Sequence, residues 1–102
     1  MASDDQPLSF EIADLVTPTA GREKGELFYV LTQDEAFLYL VNGKNRSLEA
    51  PKRKKRKHTK KLLRSETRVA EKLRLGDKVL NSELRRDLAY LRQQMQANDL
   101  GG

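Results

Sequence analysis

Apolar positions alternate with a period near two over the first half of the chain and recur every three to four residues beyond residue 65. Leu15, Val16 and Thr17 form a short apolar and β-branched run stopped by Pro18. Residues 27–31 (Leu, Phe, Tyr, Val, Leu) and 37–41 (Phe, Leu, Tyr, Leu, Val) are longer runs of the same kind, separated by a polar turn at 32–35. Runs of this length and composition read as strands. Asn42 and Gly43 follow at once, the dipeptide favoured in type I′ hairpins because both central residues need positive φ. The pattern therefore predicts a hairpin here and a fourth strand over residues 44–49, with Leu48 pointing inward. Period two places Phe28 with Val30, and Leu38 with Leu40, on single faces of their strands; with Val16 and Leu48 they are the expected core. Four short strands hide their edges best by curling into a small barrel.

The period changes in the last third. Ser65 is an N-cap residue type with Glu66 in the first turn, and Val69 and Leu73 precede a glycine stop at Gly76, which predicts a short helix. Asn81 and Ser82 open a second helix, in which Leu84, Leu88, Leu91 and Met95 form one apolar stripe with Arg85, Arg86, Asp87, Arg92, Gln93 and Gln94 on the other side. Two helices cannot bury such a stripe alone, so they are expected to fold back on the strands or on each other, or to offer the stripe to a partner. The expected organisation is α+β: a disordered tail at 1–9, a barrel at 10–64 with a basic extension at 51–64, a helical segment at 65–97 and a disordered end at 98–102. Gly101 and Gly102 belong to that end; a helix before them does not suit a ubiquitin-like conjugation tail.

Charge changes the picture. The chain has a net charge of +5, but residues 44–64 hold 11 Lys and Arg against the single acid Glu49, a local charge of +10. The remainder is acidic, with eight carboxylates against Arg22 and Lys24 over residues 1–43. The densest part is Lys52, Arg53, Lys54, Lys55, Arg56 and Lys57, followed by His58, Lys60, Lys61 and Arg64. Like charges in one run repel, and a polyanion relieves that repulsion. Residues 52–57 fit either an extended strand or a solvated arm, and residues 59–63 fit a fifth strand that closes the barrel. Pro51 ends whatever strand precedes the run.

These features carry a resemblance. Asp14, Leu15 and Val16, then Gly21, Arg22, Glu23, Lys24 and Gly25, then residues 28–31, resemble the KOW motif, a strand–loop–strand unit of SH3-like barrels in ribosomal proteins and transcription elongation factors. Gly21 and the Lys24-Gly25 step fall where that motif needs them; Glu26 departs from the basic residue often found there. The succession of barrel, Asn42-Gly43 turn and basic run ending in Lys57 and His58 is similar to the small bacterial KOW-domain RNA-binding proteins, which resemble KOW-containing large-subunit ribosomal proteins of archaea and eukaryotes. The resemblance covers residues 10–63. It implies an RNA-binding protein of the translation machinery, with ribosomal RNA, the ribosome or a translation or transcription factor as partner.

The residues agree with that class. Lys52, Arg53, Lys54, Lys55, Arg56, Lys57, His58, Lys60, Lys61 and Arg64, with Arg22 and Lys24 from the glycine loop, are the candidate phosphate contacts, and Gly21, Gly25 and Gly43 the candidate structural glycines. Phosphate contacts position a protein without reading sequence, so specificity would rest on RNA shape and on whichever of Tyr29, Phe37 and Tyr39 faces outward. The acidic half is expected to face away from the RNA. The alternatives are a protein-binding module using the helix stripe or a barrel edge, and a nuclear localisation signal at 51–57.

Other classes find no support. There is no cysteine, which leaves no disulfide or cysteine metal site; the single histidine removes the usual His-rich metal and catalytic arrangements, and no nucleophile–base pair is visible. Residues 21–25 lack the Lys-Ser/Thr step of a P-loop, and Glu23 with Glu26 is an ordinary pair of loop carboxylates. No catalytic residue, metal or cofactor is expected. No apolar run approaches the ~18 residues of a membrane span, and the polar N-terminus lacks the layout of a signal peptide. A cytoplasmic protein, monomeric when not bound to RNA, is the expectation.

Overall fold

The computed structural model describes residues 9–101, with side chains through 97; residues 1–8 of the tail expected at 1–9, and Gly102, lie outside the described residues. Five antiparallel strands and two helices follow one another: β1 (Asp14–Pro18), β2 (Phe28–Gln33), β3 (Phe37–Val41), β4 (Lys52–Lys55), a 3₁₀ turn (Arg56–His58), β5 (Thr59–Arg64), α1 (Arg68–Leu75) and α2 (Asn81–Gly101). The sheet order is β4-β3-β2-β1-β5. The outermost strands β4 and β5 are thus joined by only three residues, and Thr59 Oγ1 donates to the Lys55 carbonyl at 3.0 Å across that turn. Two edges of one sheet meet at this corner, so the sheet must curl.

Period two divides the strands between two clusters. Val16 pairs with Phe28 and Val30 with Leu40; these four, with Leu38 and Phe10, form a buried cluster to which no helix contributes. Leu15 pairs with Tyr29 and Tyr29 with Val41, and these point the other way, against Ala70, Leu73, Val79, Leu84, Leu88 and Leu91 of the helical segment. The leucine stripe of α2 therefore covers the protein's own sheet, with Met95 partly buried at its end. At ~1.5–3 kcal/mol per large apolar side chain, this second layer is needed to supplement a small strand-only core.

Four expectations change. Residues 44–49 are not a strand: residues 42–51 form a loop, and the fourth strand is the basic segment itself. The reason lies in Asn42, whose Oδ1 accepts from the backbone N–H groups of Lys44 at 2.9 Å and Arg46 at 3.0 Å, closing a local loop where a ladder would start. Gly43 has φ +76°, but Asn42 does not share the positive φ that a type I′ turn needs. Leu48 follows that loop to the helical side, where it is half-buried, and its N–H donates to Asn81 Oδ1 at 2.8 Å.

The third change is at α1, where the N-cap is Thr67, its Oγ1 accepting from Ala70 N at 3.1 Å. Ser65 is instead buried and engaged with Tyr29. Gly76 does end α1 as expected, in the left-handed conformation, with the Asp77 N–H reaching the Lys72 carbonyl at 2.9 Å. Lastly, α2 continues to Gly101, into residues the sequence reads as a disordered end.

Candidate nucleic-acid interface

The basic run resolves into β4, the 3₁₀ turn and β5. An all-cationic edge strand is a poor template for further strand pairing, since Lys blunts such edges. Its register on β3 sets the side chains: Lys54 pairs with Leu38 and Lys52 with Leu40 toward the strand-only cluster, while Lys55 pairs with Phe37 and Arg53 with Tyr39 on the opposite face.

Half of the candidate residues have structural partners. Lys54 Nζ donates to the Ala20 carbonyl at 2.9 Å. Arg53 lies over the Phe37 ring, 4.4 Å from its centroid. The Arg56 guanidinium holds the β2–β3 turn, donating to Gln33 Oε1 at 2.5 Å and to the carbonyls of Asp34 at 2.7 Å and Glu35 at 3.1 Å. Lys61 pairs with the buried carboxylate of Asp14 at 3.1 Å. Arg64 reaches Glu11 at 2.9 Å and Glu66 at 3.0 Å. His58 is exposed, and its carbonyl accepts from Thr19 N at 2.9 Å.

The side chains of Lys52, Lys55, Lys57, Lys60, Arg22 and Lys24 make no hydrogen bond or ion pair among the described residues. All but the half-buried Lys52 are exposed. The glycine loop that carries Arg22 and Lys24 is tied to the basic segment at two points, Ala20 to Lys54 and Thr19 to His58. Gly21, at φ +90°, turns the loop where a Cβ would stand 3.2 Å from Lys54 Nζ. Candidate cations distant in sequence are thereby gathered along one edge.

Two other expectations are corrected. Tyr29 is fully buried and offers no stacking surface; its hydroxyl meets Ser65 Oγ at 2.8 Å and Asp87 Oδ2 at 2.5 Å, and burial, then the Asp87 hydrogen bond, push its pKa far up. Phe37 and Tyr39 do face outward, half-buried. Nor does the acidic half turn away as a unit. Asp14 and Glu23 are buried against Lys61 and Arg46, because a carboxylate among strands and loops needs a partner. Asp34 sits in the β2–β3 turn, its carboxyl held below the usual range by the Phe37 N–H, then by the Tyr39 hydroxyl, with Arg56 adding attraction.

Sequence reasoning missed a second basic surface. A groove of about 890 Å³ runs between α2 and the loops flanking β2 and β3, lined by Lys44, Arg85, Arg92, Gln93 and Gln96 opposite Glu26. Arg85 Nη1 also donates to the Gly43 carbonyl at 2.6 Å. The seven-residue spacing of Arg85 and Arg92 beside the leucine stripe was the available signal.

Among the described residues no group of three or more His, Asp or Glu side chains could hold a metal ion, and no helix is long and apolar enough to cross a membrane. No protein-family model matches the chain, and no curated protein matches its sequence.

Proposed function

We propose that this protein binds structured RNA, ribosomal RNA or RNA on the ribosome, through phosphate contacts along its β4–β5 edge. The observation that carries the reading is the gathering of Lys55, Lys57, Lys60, Arg22 and Lys24, exposed and unpaired, around a corner braced by Lys54 and His58. The strand order, and a 3₁₀ turn that joins the two outer strands, support a small SH3-like barrel of the KOW type with a glycine loop beside the basic edge. The braced residues supply shape and the unpaired ones supply charge. A rigid cationic edge suits a folded RNA, whose phosphates are themselves fixed in space.

The test is a titration of structured ribosomal RNA at several salt concentrations. With five or six phosphate contacts and a coefficient of ~0.7–0.9 per phosphate, log K falls against log salt with a slope of about −4 to −5. Replacing Lys55, Lys57 and Lys60 together by Gln flattens that slope by about two to three units and leaves the fold unchanged. A slope that does not change in this variant rejects the edge as the RNA site. Equal affinity for a charge-matched duplex DNA reduces the activity to a generic polyanion contact.

A further inference from the structure

We infer that the hollow beside Phe37 is a site for one unpaired RNA base, flanked by phosphate contacts from Lys55 and Lys57. The inference rests on the RNA-binding reading and extends it from charge to the kind of RNA selected. Ala36, Phe37, Lys55, Arg56 and Lys57 line a hollow of about 330 Å³. That volume lies at the small end of the ~300–1,000 Å³ range of ligand pockets, room for one planar ring system.

Its lining has two chemistries in separate places. The half-buried Phe37 and the exposed Ala36 offer an apolar wall. Three cations form the rim, and they differ in freedom. Arg56 is fixed by Gln33 and the carbonyls of residues 34 and 35, so it forms a preorganised side of the hollow. Lys55 and Lys57 are exposed and make no hydrogen bond or ion pair, which leaves their ammonium groups available to phosphates on either side of an inserted base. Arg53 already lies over the Phe37 ring at 4.4 Å and holds it in place, so the ring stays rigid. Asp34, the nearest turn carboxylate, is committed to the Phe37 and Ala36 N–H groups and to the Tyr39 hydroxyl. An apolar wall rimmed by cations complements a base with its adjoining phosphates. An uncharged apolar ligand would leave the rim unused, and a phosphate alone would leave the wall unused.

The experiment compares three RNA duplexes of equal length at one salt concentration: one with a single bulged nucleotide, one with an abasic bulge at the same place, and one fully paired. Base–aromatic stacking is worth a factor of roughly 5–150. The natural chain should bind the bulged duplex tighter than the abasic and paired ones by a factor in that range. Phe37→Leu, which keeps apolar volume without the ring face, should remove the preference and leave affinity for paired RNA unchanged. Ala36→Gln fills the hollow from an exposed position without altering charge, and should act alike even if Phe37→Leu proves unstable. Equal affinity for the bulged and abasic duplexes overturns the base site while leaving the phosphate-binding edge in place. A preference that survives both substitutions places the base elsewhere and overturns the assignment to Phe37. Absence of binding to all three RNAs overturns the RNA-binding reading itself.

Discussion

The Tyr29 hydroxyl donates to Asp87 at 2.5 Å, joining the centre of the sheet to the second turn of α2 across 58 positions of sequence. Thr67 Oγ1 donates to the same carboxylate oxygen at 2.8 Å while capping α1, and Ser65 Oγ completes the group at 2.8 Å from the tyrosine. One polar cluster thus fixes both helices to the strands. Tyr29→Phe should destabilise the protein by about 1–3 kcal/mol, because the remaining groups lose a buried partner. Thermal unfolding of the two proteins at pH 7 measures this.

The same tyrosine gives a pH dependence. Its folded-state pKa is raised far above the ordinary 10.0, so the folded chain keeps its proton where the unfolded chain has lost it. The resulting stability is fully present below pH 10 and declines as pH rises above that value, toward the raised folded-state pKa. The slope approaches ~1.4 kcal/mol per pH unit. Denaturant titrations between pH 9 and 11 should show this decline in the natural chain and less of it in Tyr29→Phe.

Gly43 and Gly25 should respond differently to alanine. Both have positive φ, +76° and +87°. A Cβ on Gly43 would stand 2.4 Å from the Asn81 carbonyl oxygen and 3.1 Å from Leu84 Cβ, whereas one on Gly25 meets nothing within 4 Å. Gly25→Ala should cost ~1–2 kcal/mol from backbone strain alone. Gly43→Ala should cost roughly 2–4 kcal/mol, since it adds overpacking against α2. Equal losses in equilibrium unfolding would mean that α2 yields at Gly43.

Neighbouring lysines of the basic run should separate into two kinds. Lys61→Met removes the partner of the buried Asp14 carboxylate and should lower stability by about 1–2 kcal/mol, a figure reduced for the partial exposure of the lysine. Lys60→Met, with no partner to lose, should stay within ~0.5 kcal/mol of the natural chain and weaken the proposed RNA binding instead. Paired melts and RNA titrations of the two variants decide this.

The parts legible in the sequence were those set by local periodicity. The alternation through Phe28, Val30, Leu38 and Leu40 identified one buried face of the sheet, and the spacing of Leu84, Leu88 and Leu91 identified the buried face of α2. The other sheet face was harder to see, because Tyr29 carries a polar group whose partners come from residues 65, 67 and 87. The fourth strand was displaced for a related reason. Asn42 signals a turn in either case, but side-chain hydrogen bonds to Lys44 and Arg46 made it a loop, and Gly43 answers to the close docking of α2 as well as to its positive φ. For the candidate interface, the run of cations was plain. Which of them are braces depends on contacts with Ala20, Gln33 and Asp14, each at least 23 positions away.

The sheet has apolar side chains on both of its faces, and this limits how the protein can be taken apart. A fragment ending at Arg64 would keep every strand and the whole cationic edge, yet it would turn Ala13, Leu15, Leu27, Tyr29 and Val41 out to water. Such a fragment would self-associate through that bared surface. Cationic edge and helical cover are therefore one inheritable unit, and grafting the edge onto another scaffold requires carrying α1 and α2 along with it.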